Sequence, residues 1–133
     1  MTPSVLRDGL YAITDGSLIP AADLATQVAQ AIAGGATVIQ YREKRLVTTE
    51  RYRQAAELAD LCRRHAVPLL INDDVELAAA VGAAGVHLGR DDTAIRTARD
   101  RLGSRAIIGM SCYNSLQRAR SAAAEGADYV AFG

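Results

Sequence analysis

The sequence predicts an α/β fold built from repeated βα units around a parallel sheet, and three observations carry that reading. Short β-rich runs alternate with longer amphipathic ones along the chain. Glycines stand where the amphipathic runs stop: Gly34-Gly35, Gly82, Gly103 and Gly126 each follow the last periodic residue. Three segments, Gly35-Ala36-Thr37-Val38-Ile39, Gly82-Ala83-Ala84-Gly85-Val86 and Gly126-Ala127-Asp128-Tyr129-Val130, repeat one arrangement of helix stop, small residue and strand entry. No linker or low-complexity segment interrupts the pattern, so residues 1–133 are expected to form one domain.

Taken in order, strands are expected at Leu10–Thr14, Val38–Tyr41, Leu69–Ile71, Gly85–Leu88, Ala106–Met110 and Tyr129–Phe132. Helices are expected near Ala21–Ala33, Thr49–His65, Val75–Val81, Thr93–Leu102 and Ser115–Glu125. In the first helix Leu24, Val28, Ala31 and Ile32 recur at helical spacing, with Gln27 and Gln30 opposite. In the second, Tyr52, Ala55, Ala56, Ala59 and Cys62 make an apolar stripe against Arg53, Glu57, Asp60 and Arg64. Six βα units are compatible with part of an eight-stranded barrel, which takes roughly 200–250 residues, or with an open doubly wound sheet. Periodicity does not choose between them.

Composition narrows the function classes. The chain has 133 residues, 14.1 kDa, 15 Lys+Arg against 15 Asp+Glu and a pI near 6.7. A balanced charge and the lack of a basic run argue against nucleic acid or an anionic membrane surface as partners. The longest apolar stretches, such as Ala78–Val81, fall far short of the ~18 residues of a membrane helix. The start, Met1-Thr2-Pro3-Ser4, has no charged-then-apolar leader pattern. Cys62 and Cys112 make neither a metal pattern nor a disulfide framework. A soluble, reduced, cytoplasmic domain is expected, with association between copies left open.

In parallel βα folds chemistry collects where the strands end and the following loops converge. Strand two runs into Gln40-Tyr41-Arg42-Glu43-Lys44, strand three into Asn72-Asp73-Asp74, strand four into Gly89-Arg90-Asp91-Asp92 and strand five into Ser111-Cys112-Tyr113-Asn114. Four consecutive strand ends are polar while the strand bodies are apolar. If the extension persists past Tyr41, Gln40, Arg42 and Lys44 share one face, and Tyr41 and Glu43 the other. One amide, one planar guanidinium and one mobile ammonium suit a polyphosphate; the plainer reading is a solvated basic loop tied to Glu43 and Glu50. Asp73 and Asp92 each lie just past a strand. Taken singly, each reads as a helix cap. Taken with the basic cluster, they read as ligands for a magnesium ion shared with diphosphate, because magnesium favours a few carboxylates, waters and phosphate oxygens.

Other candidates are weaker. His87, within strand four, reads as a hydrogen-bonded core group. Cys112 lacks an evident histidine partner and makes an improbable nucleophile. Asp15 and Ser17 read as the start of a helix, and Tyr11, Tyr41 and Tyr129 as core or mouth-wall residues. No GxGxxG or P-loop spacing occurs.

Six ordered segments then resemble the bacterial thiamine-phosphate synthases across essentially the whole chain: Tyr11-Ala12-Ile13-Thr14-Asp15; Gly34 through Lys44; Ile71-Asn72-Asp73; Gly85 through Asp92; Ile108-Gly109-Met110-Ser111; and Gly126 through Gly133. The resemblance implies a (β/α)8 TIM barrel of which about six units are present here. It implies a transferase of thiamine biosynthesis that joins hydroxymethylpyrimidine diphosphate to hydroxyethylthiazole phosphate, releasing pyrophosphate. It implies that Gln40, Arg42, Lys44, Asn72 and Ser111 contact the pyrimidine diphosphate, with Arg42 and Lys44 assisting catalysis, and that Asp73 and Asp92 bind Mg2+. Such chemistry needs stabilisation of a departing diphosphate, not a nucleophilic side chain. Two related alternatives are a thiazole tautomerase and a shortened, non-catalytic diphosphate-binding module. Three departures stand out. Arg90 occupies a position commonly held by glutamine, Tyr113 one often held by histidine, and the family continues past Gly133 into a phosphate loop and two further units. On that account the 133-residue chain is expected to be a truncated form, inactive alone.

Overall fold

The computed structural model describes residues 6–133; Met1–Ser4, read above for a leader, lie outside them. Six strands, β1 (Leu10–Ile13), β2 (Ala36–Tyr41), β3 (Leu69–Asn72), β4 (Gly85–Leu88), β5 (Ile107–Tyr113) and β6 (Tyr129–Phe132), form one sheet in the order β1-β2-β3-β4-β5-β6. All five pairings are parallel. Between the strands run α1 (Leu24–Ala33, entered through a 3-10 turn at Ala21–Asp23), α2 (Thr48–Arg64), α3 (Val75–Val81), α4 (Ile95–Leu102) and α5 (Leu116–Glu125). A doubly wound sheet reverses its strand order at a switch point. This order never reverses, so the sheet winds in one direction as a half-barrel.

Strand alternation separates the two faces. Ile39 and Tyr41 of β2, Leu69 and Ile71 of β3, Val86 and Leu88 of β4 and Ile108 of β5 pack with Leu58, Ala59, Cys62, Ala78, Ile95 and Ala98 of the helices in the main core. The residues between them point inward, where Val38, Leu70 and Ile107 form a second cluster with Tyr11 and Tyr129. The sheet curls enough that Tyr11 on β1 and Tyr129 on β6, its two outermost strands, share a hydrogen bond of 2.6 Å between hydroxyls. These outer strands are less covered than the rest, with Leu10, Ile13 and Phe132 more than half exposed.

Element types match the sequence reading, and the boundaries differ where local chemistry decides them. β5 extends through Ser111 and Cys112 to Tyr113 because β6 pairs with it across a bulge between Ser111 and Tyr113. α4 starts at Ile95, two residues later than expected, with Ala94 in the cap position. In α2 the buried face is Ala55, Leu58, Ala59 and Cys62, whereas Tyr52, assigned above to the apolar stripe, lies on the exposed side. α3 ends in the left-handed turn at Gly82 (φ 67°), which a side-chain-bearing residue would adopt only with strain.

Candidate active site

The site lies at the carboxyl ends of the strands and is built mainly from the loops after β2, β3 and β4. The loop after β2 is shaped by Glu43. Its buried carboxylate accepts the Arg45 backbone N–H at 2.7 Å and packs where a side chain at Gly16 would stand. The Arg42 N–H is held by Thr14 Oγ1 at 2.9 Å. Glu43 thus binds Arg45, and Glu50 binds Arg53 at 2.8 Å. Neither glutamate pairs with Lys44 or with the Arg42 side chain, so the plainer reading of a charge-neutralised loop does not account for these two cations.

Lys44 instead reaches across to β3, where its ammonium pairs with the Asp73 carboxylate. The capping question is settled by Asp74: its side chain accepts the Leu77 N–H at 2.9 Å and caps α3. Asp73, one residue earlier, takes a left-handed backbone (φ 65°) that points it away from that role. Asp92 caps no helix either; its carboxylate accepts the Gly89 N–H at 2.6 Å, closing the loop after β4. The two carboxylates then meet. Partial desolvation, contact with Asp73 and repulsion from its charge hold the Asp92 carboxyl above the usual range, opposed by the Gly89 N–H and Lys44.

Asn72 and Asp73 line a cleft of about 630 Å³ together with Lys44, and Asp92 and Ser111 line a neighbouring one of about 610 Å³. Gln40 is buried on the inner face and donates to Tyr11 Oη at 2.7 Å. Arg42 is exposed, and its charge adds to the Ser17 hydrogen bonds that hold the Asp15 carboxyl below its usual range. Of the sequence-derived set, Lys44, Asn72, Asp73 and Asp92 are therefore brought together, Gln40 and Ser111 line the interior beside them, and the Arg42 guanidinium stands apart.

Sequence reasoning gave His87 a bland core role and did not connect it to the site. Its ring is buried, with Nδ1 2.7 Å from Tyr129 Oη and Nε2 2.7 Å from Ser111 Oγ. The available signal was parity, since His87 faces the same side as Gln40 and Ser111. The departures Arg90 and Tyr113 also meet: the Arg90 guanidinium lies 5.6 Å from the Tyr113 ring centroid, and that of Arg118 5.9 Å.

Among the described residues no group of three or more His, Cys, Asp and Glu side chains forms a closed metal cage. Two adjoining carboxylates at an open mouth fit a hard cation that keeps waters and takes its remaining ligands from a phosphate. No helix among the described residues is long and apolar enough to cross a membrane.

Comparison with known proteins identifies the family. The family model for thiamine monophosphate synthase matches residues 10–133. Thiamine-phosphate synthase of Nitrosococcus oceani is 56% identical over 125 residues, 94% of this chain and 58% of the relative. That of Marinobacter nauticus is 56% identical over 130 residues, 98% of this chain and 59% of the relative. Thiamine phosphate pyrophosphorylase from Pyrococcus furiosus superposes with a TM-score of 0.83 at 40% identity, covering 92% of this chain and 58% of that one. The chain thus spans rather less than two thirds of the length of these relatives. With the same ordered strands and a family model that matches from β1 to the last residue of the sequence, this chain belongs to the thiamine monophosphate synthase family.

Proposed function

We propose that these residues form the diphosphate-binding half of a transferase site that couples hydroxymethylpyrimidine diphosphate with hydroxyethylthiazole phosphate, giving thiamine phosphate and pyrophosphate. The half-barrel is then six of the eight units of a (β/α)8 barrel. The observation that carries the reading is the contact of Lys44 with Asp73 and of Asp73 with Asp92, one ammonium and two carboxylates gathered from three loops, neither carboxylate capping a helix.

In this reading Asp73 and Asp92 hold Mg2+, which when bound supplies charge neutralisation for the diphosphate oxygens. Lys44 swings from Asp73 to the diphosphate, where a mobile point charge follows the negative charge that grows as the carbon–oxygen bond breaks. Arg42, free of any carboxylate contact in the loop, supplies a planar fork of donors to the same group. Gln40, Asn72 and Ser111 offer polar atoms to orient the substrate, and the apolar strand bodies beneath keep water from the carbon left electron-deficient until the thiazole nitrogen bonds to it. No side chain is required to act as a nucleophile, in keeping with Cys112, which is buried without a basic partner.

Isothermal calorimetry with hydroxymethylpyrimidine diphosphate tests the reading directly. Binding is expected to need Mg2+ and to weaken by about tenfold or more in Asp73→Asn and Asp92→Asn. Unchanged affinity in both variants overturns it. Tight binding of thiazole phosphate with none of the pyrimidine diphosphate would instead favour a tautomerase.

A further inference from the structure

Five side chains on the inner face form one continuous hydrogen-bond chain. Gln40 Nε2 lies 2.7 Å from Tyr11 Oη, Tyr11 Oη 2.6 Å from Tyr129 Oη, Tyr129 Oη 2.7 Å from His87 Nδ1, and His87 Nε2 2.7 Å from Ser111 Oγ. The chain joins β2, β1, β6, β4 and β5, so no single strand accounts for it. The His87 and Tyr129 rings also stack, their centroids 5.6 Å apart.

Proton counting gives this chain a direction. A tyrosine hydroxyl carries one proton, and a neutral imidazole carries one N–H and one bare nitrogen. Gln40 donates an amide hydrogen to Tyr11, so the Tyr11 proton is available to Tyr129. The order that leaves no buried donor without an acceptor passes the Tyr129 proton to His87 Nδ1 and puts the imidazole proton on Nε2, facing Ser111. Ser111 accepts from His87, which leaves its own hydroxyl proton free. Ser111 lines the cleft that also contains Asp92.

We propose that His87 is a positioning residue which, through Ser111, presets that hydroxyl as a hydrogen-bond donor and so selects a ligand that presents a lone pair there. A ring nitrogen and a phosphate oxygen both have that chemistry, whereas an N–H meets only the one lone pair that His87 leaves on the hydroxyl. The ligand part of the proposal rests on the diphosphate-site reading above, and the proton order rests on the geometry of this chain alone. Preorganisation of this kind spares the hydroxyl the cost of choosing a rotamer when the ligand arrives.

The chain contains two histidines, His65 and His87. Nitrogen-15 spectra of histidine-labelled His65→Gln protein therefore report His87 alone. At neutral pH the ring is expected to be the neutral tautomer protonated on Nε2. A ring protonated on Nδ1, or on both nitrogens, reverses or breaks the proton order and overturns the proposal. Calorimetry with hydroxymethylpyrimidine diphosphate and Mg2+ then separates positioning from support of the fold. His87→Leu is expected to lose about tenfold in affinity, His87→Gln to recover much of it through its amide donor, and His87→Leu to cost little in a Ser111→Ala background. An equal loss in both backgrounds overturns the proposal even if the tautomer is as expected. No binding by the wild-type chain would count against the diphosphate-site reading instead, and the tautomer would still decide the proton order.

Discussion

The Lys44 ammonium, carried by the loop after β2, pairs with Asp73 at the end of β3, and Asp73 in turn adjoins Asp92 after β4. A cation is thus already seated on the carboxylates to which the proposed metal binds. Lys44 and Mg2+ compete for Asp73 when no diphosphate is present and cooperate once it is. Lys44→Ala should therefore change two affinities in opposite directions. Mg2+ alone is expected to bind a few-fold more tightly, and pyrophosphate with Mg2+ about tenfold more weakly, since a half-exposed ammonium acts across a screened distance. Calorimetric titrations with the metal alone and with the pair check this; losses of both would show Lys44 to be a structural support of the acids.

Tyr41 shows a second consequence of strand parity. It points outward beneath the helices, and its hydroxyl donates to Gln54 Oε1 at 2.6 Å in a buried setting. Burial, reinforced by Glu43, pushes its hydroxyl up to about 12 from 10.0. The unfolded chain therefore releases this proton first as the pH rises. Stability from Tyr41 is complete below pH 10.0 and is lost as the pH climbs through the window to about 12. Tyr41→Phe should be less stable at neutral pH by roughly 1–2 kcal/mol, because Gln54 loses its donor. It should also lose less stability above pH 10.0 than the wild type does. Urea unfolding followed across that range decides the matter, and parallel alkaline slopes would be contrary to it.

Several of these features were legible in the sequence because they are local. Glycine stops, strand alternation and polar strand ends follow from neighbouring residues, and they placed Lys44, Asp73 and Asp92 correctly at strand ends. The choice between Asp73 and Asp74 as the cap was not legible: both are favoured cap residues, and only the start of α3 at Val75 assigns the role to Asp74. The length of β5 was set by its bulged pairing with β6, twenty residues on in sequence and invisible to periodicity. The interior chain was hidden for a similar reason. Parity indicates that Tyr11, Gln40, His87 and Tyr129 face inward, but the Tyr11–Tyr129 contact joins residues 118 apart and exists because the sheet curls.

Arg90 and Tyr113, noted singly as departures from relatives, behave in the fold as one unit. Both the Arg90 and the Arg118 guanidinium lie within 6 Å of the Tyr113 ring centroid, and the only ion pair of Arg90 among the described residues is a long 3.8 Å contact with its neighbour Asp91. The ring is thus a shared platform for two cations. Arg90→Gln and Tyr113→His should be non-additive: the second change should cost less once the first is made, by about 0.5–1 kcal/mol in a double-mutant cycle of unfolding free energies. Additive effects would mean that the stacking contributes nothing in solution.

Gly109 explains how His87 and Tyr129 come together at all. On the sheet, Gly109 of β5 is the register partner of His87 on one side and of Tyr129 on the other. The Tyr129 ring lies over Gly109, where a β-carbon would collide with its ring carbons and hydroxyl. The missing side chain is therefore what lets a β6 tyrosine reach across β5 to a β4 histidine. Gly109→Ala should destabilise the chain by about 1–3 kcal/mol, the usual range for an added carbon in a packed interior. It should also displace Tyr129 from His87 Nδ1, visible as a changed imidazole nitrogen-15 signal. The cost should fall sharply in a Tyr129→Ala background, where the space is vacated. If alanine at 109 costs the same with and without the Tyr129 ring, the strain comes from the β5 backbone, and the glycine is there for the strand and not for the contact.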